Sequence, residues 1–388
     1  MDFDVVVVGS GLVGASLALA LKTAGLKLAV VEAQPPQPVA GAADWDNRVY
    51  AISPGSAAFL ERCGVWRELD MARVSQVEAM RIVGDDDRSE LHFSAYDAGL
   101  RELAFIVENR ELQRVLWDAL KRAQHVEVIA PAACKALTLA AEAAQLELGG
   151  GRMLHARLLI GADGADSWVR AQAAIEVEMR RYHQTAVVAN FATTKPHRGT
   201  AYQWFRRDGV LALLPLPDAR VSLVWSTTEE HAAQLLELAR EELAAQVVAA
   251  SHGMLGDLTM ITPAAAFPLR LQRVRQLVMP RLALAGDAAH NVHPLAGQGV
   301  NLGFRDAREL ARVLLQRGAQ TDCGDYHLLR RYERARREDI VATQFTTDLL
   351  QRLFNNEISW LAELRNFGLR LTNRRSQLKN LLVQHAVG

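Results

Sequence analysis

Cysteine is scarce in this 388-residue chain: Cys63, Cys134 and Cys323 stand far apart, odd in number and without a CxxC pair. A disulfide framework is excluded on that pattern, and reduced thiols in a cytoplasmic protein are the expectation. Net charge is missing too. Lys plus Arg number 44, as do Asp plus Glu, so no overall field draws in polyanions and nucleic-acid binding is not expected. Nor is there a run of membrane-spanning length. The longest candidate, Val5 to Leu21, has seventeen uncharged residues, but it follows Asp2 and Asp4 and carries Gly9, Gly11 and Gly14. Those flanks and glycines speak against a signal peptide or a span. No internal repeat or low-complexity linker occurs. What remains is a globular composition, 50% hydrophobic and 23% charged, long enough for two modest domains or one composite one.

Hydrophobic patterning divides the chain. Asp4–Val8 reads as a buried strand, Leu12–Ala24 as a helix and Leu28–Glu32 as a second strand, together a parallel βαβ unit. Helices are expected over Ser53–Arg62 and Asn109–Gln124, and strands over Ala133–Leu139, Ala143–Leu148 and Met153–Ile160, the last two forming a hairpin at Gly149–Gly151. From Val177 to Leu271 short strands take over: Ala186–Phe191, Tyr202–Phe205, Val210–Leu214 and Val221–Trp225, then a helix Glu229–Ala249 and a strand Ala265–Arg270. The reading is an inserted, largely antiparallel sheet to which Val74–Val83 and Glu90–Phe93 add, with Asp85–Asp87 a solvated loop. Leu282–Ala285 resumes a buried strand, a helix follows from about Val300 to Gln316, and the chain is helical beyond Asp325. The fold class expected is α/β: a Rossmann-like nucleotide-binding domain in parts 1–73, 99–176 and 273–320, a substrate domain in parts 74–98 and 177–272, and C-terminal helices over 321–388.

Gly9-Ser10-Gly11-Leu12-Val13-Gly14 is a GxGxxG placed directly after a strand and opening a helix. Gly9 permits the tight turn, Gly11 lets backbone approach a pyrophosphate, and Gly14 allows close helix–strand packing, while the helix N-terminus attracts negative charge. Glu32, twenty-three residues after Gly9, ends the second strand where a carboxylate meets the adenosine ribose hydroxyls, which disfavours a 2′-phosphate there. This motif alone does not separate FAD from NAD. Gly161-Ala162-Asp163-Gly164 ends another strand, with Ser167 and Arg170 after it, and fits either a dinucleotide contact or a plain turn with an Asx-type bond. Arg281–Gly303 is more specific. A buried strand delivers Gly286-Asp287, setting a carboxylate at a strand's carboxyl end. Pro294, Gly297 and Gly299 then shape a loop able to approach a planar ring, and a helix starts near Val300.

At these residues the chain resembles the ubiquinone-biosynthesis FAD-dependent hydroxylases (the UbiH, UbiF and VisC group) of the class A flavoprotein monooxygenases, from about residue 3 to about 345. The resemblance implies FAD as cofactor, held by Gly9, Gly11, Leu12, Val13, Gly14 and Glu32 at its ADP end and by Asp163 and Asp287. The segment His290 to Gly303, with Pro294, Gly297, Gln298, Gly299, Val300 and Asn301, matches the family's flavin-ring loop. Arg48, in Asp46-Asn47-Arg48, matches a flavin-contacting arginine, and Arg110, in Glu108-Asn109-Arg110, a second arginine near the dinucleotide. Leu213-Leu214-Pro215-Leu216 matches a substrate-domain motif. The implied reaction takes hydride from NAD(P)H without a separate nicotinamide domain. It then passes oxygen from O2, by way of a flavin C4a-hydroperoxide, to the ring of a hydrophobic aromatic substrate, in this family a polyprenylated phenol.

Several readings stay open at this level. Asp287, His290 and His293 have the spacing of an iron-binding facial triad, or the histidines pack within the loop; the loop's flavin role leaves metal the lesser reading. His92, His125 and His252 read as surface or packing residues. Tyr202, His183 and Tyr182 are candidates for a substrate base, and Trp204 and Trp225 either line a cavity or fill a core. From Arg330 to Gly388 there are eleven Lys or Arg against six Asp or Glu. With Arg330, Arg331, Arg334, Arg336, Arg337, Arg370, Arg374, Arg375 and Lys379 set beside Leu349, Leu350, Leu353 and Leu361, this tail is either a peripheral membrane or partner-complex surface, or a solvated face or homo-oligomer contact. Competing functions are hydroxylation of a soluble aromatic acid or polyketide, a flavin oxidase or reductase, and a non-catalytic flavin-binding subunit.

Overall fold

A computed structural model gives the fold for residues 1–36, 45–84, 89–206, 208–291, 299–318 and 320–354, with side chains described as far as residue 344. Three sheets organise these residues.

The first sheet grows from the N-terminal valines. Phe3–Val8 is buried on both faces, as a central parallel strand must be, with Val5, Val6 and Val7 shielded completely from water. Leu28–Val31 and Met153–Gly161 flank it, both parallel. Val126–Ile129 extends the sheet past the former and Leu282–Leu284 past the latter, again parallel. The chain starts at the centre, runs to one edge, and then builds the other side. Such a reversal is a topological switch point, and ligands of open α/β sheets gather there at the strands' carboxyl ends. The uncharged run from Val5 is one core strand followed by the buried helix Leu12–Ala20. Among the described residues no helix is long and apolar enough to cross a membrane.

The second sheet has nine strands. Val177–Thr193, Arg220–Thr228, Gly209–Leu216 and Thr200–Arg206 lie side by side and antiparallel, with Ala265–Val274 on the far side of the first of them. Ala79–Val83 joins Thr200–Arg206 in parallel, and Glu90–Ser94 closes that edge. Side chains alternate across the sheet. Trp204, Leu211, Leu213, Leu223 and Trp225 are buried against the helices Glu229–Glu237 and Arg240–Ala250. At roughly 1.5–3 kcal/mol for each large apolar side chain, this face holds the layer together. Trp204 and Trp225 are therefore core residues, and the opposite face is free to roof a cleft.

The third sheet, Val49–Ile52, Ala104–Glu108 and Ser75–Val77, joins the other two. It divides the expected Val74–Val83 unit: Ser75–Val77 belongs here, and only Ala79–Val83 reaches the large sheet. Glu78 marks the change, its N–H donating to Gly199 O at 2.8 Å. The helix expected over Glu229–Ala249 is two helices. Leu238 and Ala239 are extended, and the Glu242 carboxylate accepts the Ala239 N–H at 3.0 Å to restart the second. Val177–Thr193 is far longer than the expected Ala186–Phe191, because Glu178, Arg180, Arg181 and His183 are exposed and show no apolar alternation. Asp85–Asp87 lies outside the described residues.

Candidate active site

The three glycine motifs, far apart in sequence, end on neighbouring strands. Ala162 N–H donates to Val8 O at 2.8 Å, and Ala285 N–H donates to Gly161 O at 2.9 Å. The turns after Val8, Gly161 and Leu284 thus stand in a row at the switch point. A cleft of about 1350 Å³ opens beside them and runs beneath the free face of the large sheet.

The glycines divide by what they exclude. A Cβ on Gly9 would lie 2.4 Å from Ala162 O, and one on Gly14 would lie 2.1 Å from Gly9 O. Both positions serve the fold itself. Gly11 differs: its backbone is extended, a Cβ would meet no described atom within 4 Å, and it lines the cleft as the residue preceding the helix. Room there is room for a ligand at a helix N-terminus. Val13 is clamped between Gly286 and Gly303, whose added Cβ atoms would come within 2.9 and 2.6 Å of its Cγ2. The Gly286-Asp287 turn and the helix Gly299–Leu315 therefore rest directly on the first helix.

Glu32 lines the cleft and is fixed by its own chain. One carboxylate oxygen accepts from the N–H and hydroxyl of Ser10 at 2.7 and 2.8 Å, and the other from Gln34 N–H at 2.9 Å. Asp163 also lines the cleft, yet its oxygens accept from the Ser167 hydroxyl (2.5 Å) and Val169 N–H (3.0 Å), ordering the short helix Trp168–Gln172. The turn-forming reading of Asp163 is the one its bonds display. Buried Arg170 bridges two motifs, donating to Ala165 O at 2.9 Å and Ala288 O at 2.8 Å.

Asp287 lines the cleft, and among the described residues nothing hydrogen-bonds its carboxylate. Burial pushes this acid above its ordinary range, against the pull of His290, Arg48 and Arg270. Beneath it lies a charged cluster that the sequence reading missed. Asp306, fully buried, accepts from Gly286 N–H at 2.9 Å, His290 Nε2 at 2.6 Å and Arg336 Nε at 2.7 Å. Arg336 also pairs with Asp339 and donates to Leu302 O at 3.3 Å. Burial alone would raise the Asp306 carboxyl, but His290 and Arg336 hold it below the usual range. His290 is committed to Asp306 rather than Asp287, and His293 lies outside the described residues. Among the described residues no three His, Cys, Asp or Glu could hold a metal.

Other expected site residues fall in three groups. Leu12, Val13, Gly299, Val300 and Arg48 line the cleft, with Arg48 set over the Tyr50 ring at 5.4 Å. Asn301 lines it as well, but its side chain staples backbone, accepting from Ser53 N–H at 2.9 Å and donating to Ala51 O at 2.8 Å. Arg110 is not among the described lining residues; from its helix, Asn109 and Gln113 are. Pro294, Gly297 and Gln298 lie outside the described residues.

None of Tyr202, His183 and Tyr182 lines the cleft. Tyr202 stacks on Trp204 with ring centroids 5.8 Å apart, facing the helices, and His183 is exposed at a bulge. The phenol that does line it is Tyr50, whose pKa burial pushes up to about 12, so it offers a proton to hydrogen bonds and is no base. His125 packs, its Nε2 3.1 Å from Ala18 O, while His92 and His252 are exposed. Burial lifts the thiols of Cys63, Cys134 and Cys323 to about 12, 11 and 12, which makes them unreactive.

A family model described as an FAD binding domain matches residues 2–347. The chain belongs to this family. It is 35% identical over 386 residues to 3-demethoxyubiquinol 3-hydroxylase of Escherichia coli (strain K12), covering 99% of this chain and 98% of that one. To ubiquinone hydroxylase UbiL of Rhodospirillum rubrum it is 36% identical, covering 99% and 89%. The solved structure of PqsL from P. aeruginosa in complex with 2-aminobenzoylacetate superposes with a TM-score of 0.80 at 24% identity, covering 95% of this chain and 100% of that one. At that identity the likeness shows the fold alone. FAD is the cofactor of this chain, which is an FAD-dependent monooxygenase.

Proposed function

We propose that this flavoenzyme hydroxylates the ring of a polyprenylated phenol in ubiquinone biosynthesis, using NAD(P)H and O2. The observation that carries the reading is the cleft, continuous from the three strand-end turns to an apolar sheet face. Pockets for one small ligand run to about 300–1,000 Å³, so about 1350 Å³ suits a cofactor with a substrate beside it. In this reading Gly11, Leu12 and Val13 receive the pyrophosphate at the helix N-terminus, and Glu32 receives the adenosine ribose. Asp287, with its unused carboxylate, takes a hydroxyl of the ribityl chain. Arg48, Gly299 and Val300 border the ring, Asp163 acts through the helix it orders, and Arg110 acts through Asp46, whose carboxylate accepts the backbone N–H groups of both Arg110 and Arg48 at 3.0 and 2.9 Å. Bound FAD supplies the hydride acceptance and oxygen activation that side chains lack. The chain supplies position and a water-poor wall.

Among the described residues between 186 and 226, no charged side chain lines the cleft: Ala186, Val188, Ala201, Val210, Ala212 and Val224 form most of that face. Of the arginines that line the cleft, Arg270 is paired with Asp166 at 2.8 Å and Arg48 covers Tyr50. Among those described residues an aromatic acid would find no cation that is not already engaged in this way or set off the roofing strands, which favours an apolar phenol. The names of the two relatives agree. The basic tail beyond Arg330 supports peripheral attachment to a bilayer or a partner complex, although Arg336 must be removed from that surface because it is buried against Asp306. Quinone profiling of cells lacking the protein tests the function: a prenylated phenol short of one ring hydroxyl should accumulate. An unchanged profile would refute it.

A further inference from the structure

Among the described residues between 186 and 226 that line the cleft from the large sheet, two break the apolar pattern, Gln203 and Ser226. They are 5% and 4% exposed, both line the cleft, and no side-chain hydrogen bond joins either to another described residue. Three other buried polar residues of the sheet are employed differently. Asn190 donates to Asp46 O, Gln272 to Asp287 O and Thr227 to Asp208 O, each tying one segment to another. An amide that opens onto the cleft with no partner from the described residues takes its hydrogen bonds from whatever fills the cleft. Alternation leaves no doubt about its direction: Tyr202 and Trp204 on either side pack toward the helices, so Gln203 faces the cavity.

We propose that Gln203, on the basis of the prenylphenol reading above, is a specificity-determining residue that hydrogen-bonds an oxygen substituent of the substrate ring. Its neutral amide can accept from a phenol O–H and donate to a ring oxygen, so it suits an un-ionised phenol where an arginine would suit a carboxylate. Held on an internal strand of the sheet, it fixes the rotation of the ring against a stretch of wall that is apolar apart from Ser226 among the described residues between 186 and 226. Ring rotation determines which carbon is presented for hydroxylation.

The test uses the FAD-loaded full chain, without reductant, and two probes: 2-geranylphenol and geranylbenzene, which lacks only the hydroxyl. Binding is read from the change in flavin absorbance. Wild type should prefer the phenol by roughly tenfold, the worth of one neutral hydrogen bond. Gln203→Leu should bind both probes alike, with geranylbenzene bound at least as well as by wild type. A Gln203→Leu variant that keeps the wild-type preference overturns the inference, as does one that loses both probes equally while retaining FAD, since that is a packing role. Gln203→Met gives the same reading should the leucine variant not fold. If wild type binds neither probe, the prenylphenol reading itself falls and takes this inference with it.

Discussion

Replacing Asp306 by alanine removes the acceptor on which the Gly286-Asp287 turn sits. Three donors lose their partner at once: Gly286 N–H, His290 Nε2 and Arg336 Nε, all within 2.9 Å of its carboxylate. Arg336 is 5% exposed and among the described residues keeps Asp339 alone as its anion. Removing one member of a buried ion pair costs about 3–5 kcal/mol, because the other charge stays buried and uncompensated. Against a total stability of about 5–15 kcal/mol, that loss is large, and it should appear in urea unfolding of the FAD-loaded protein. The companion is Asp306→Leu with Arg336→Met. Apolar replacement of a whole buried pair is often near neutral, so the double variant should be more stable than Asp306→Ala. Linkage adds a sign. The folded-state Asp306 carboxyl is depressed, so its contribution is present above the ordinary value of 3.8 and lost as pH falls through the lower folded value. The variants should therefore converge on wild type in acid. An Asp306→Ala protein within about 1 kcal/mol of wild type, or strictly additive losses in the double variant, would refute the reasoning.

Asp287 should behave in the opposite sense. Its folded-state carboxyl is raised by burial, so its stabilising contribution is fully present below the ordinary value of 3.8 and is lost as pH rises through the higher folded value. FAD-free Asp287→Asn should thus melt higher than wild type near neutral pH but not in acid, while its FAD dissociation constant rises by roughly ten- to a hundredfold for one lost charge-assisted bond; equal melting at all pH values would count against this. Gly14→Ala should fail to fold for want of room against Gly9 O, whereas Gly11→Ala should fold normally and hold FAD weakly. Circular dichroism and flavin content separate the two, and a Gly11→Ala chain with full FAD affinity would contradict the assignment.

The dinucleotide unit was legible because all its determinants are local. A valine strand, three glycines and Glu32 lie within the first 32 residues, and each has a single conformational reason. The Gly286-Asp287 turn was legible for the same cause. Pairings across the chain were not. Asp306 and Arg336 are thirty residues apart, and only a weak sign marked the first of them: a charge among Leu302, Leu310 and Leu314, at four-residue steps on a buried helix face. On the Arg110 helix it is Asn109 and Gln113 that line the cleft, a rotation about the helix axis that a short motif does not reveal. Strand parity could have excluded Tyr202 as a base, because it shares a face with Trp204 and not with Gln203. The short strands Val49–Ile52 and Val126–Ile129 carry too few residues for any period to show.

Transfer of one oxygen atom from O2 to a prenylated ring is the claim on which the rest depends. It is tested most directly by turning over 2-geranylphenol with the purified, FAD-loaded chain and NADH under isotopically heavy dioxygen, with mass analysis of the product. One heavy oxygen atom in a ring-hydroxylated product, formed in step with NADH consumption, is the result predicted. NADH oxidation that yields only hydrogen peroxide, or a product carrying oxygen from water, would contradict it.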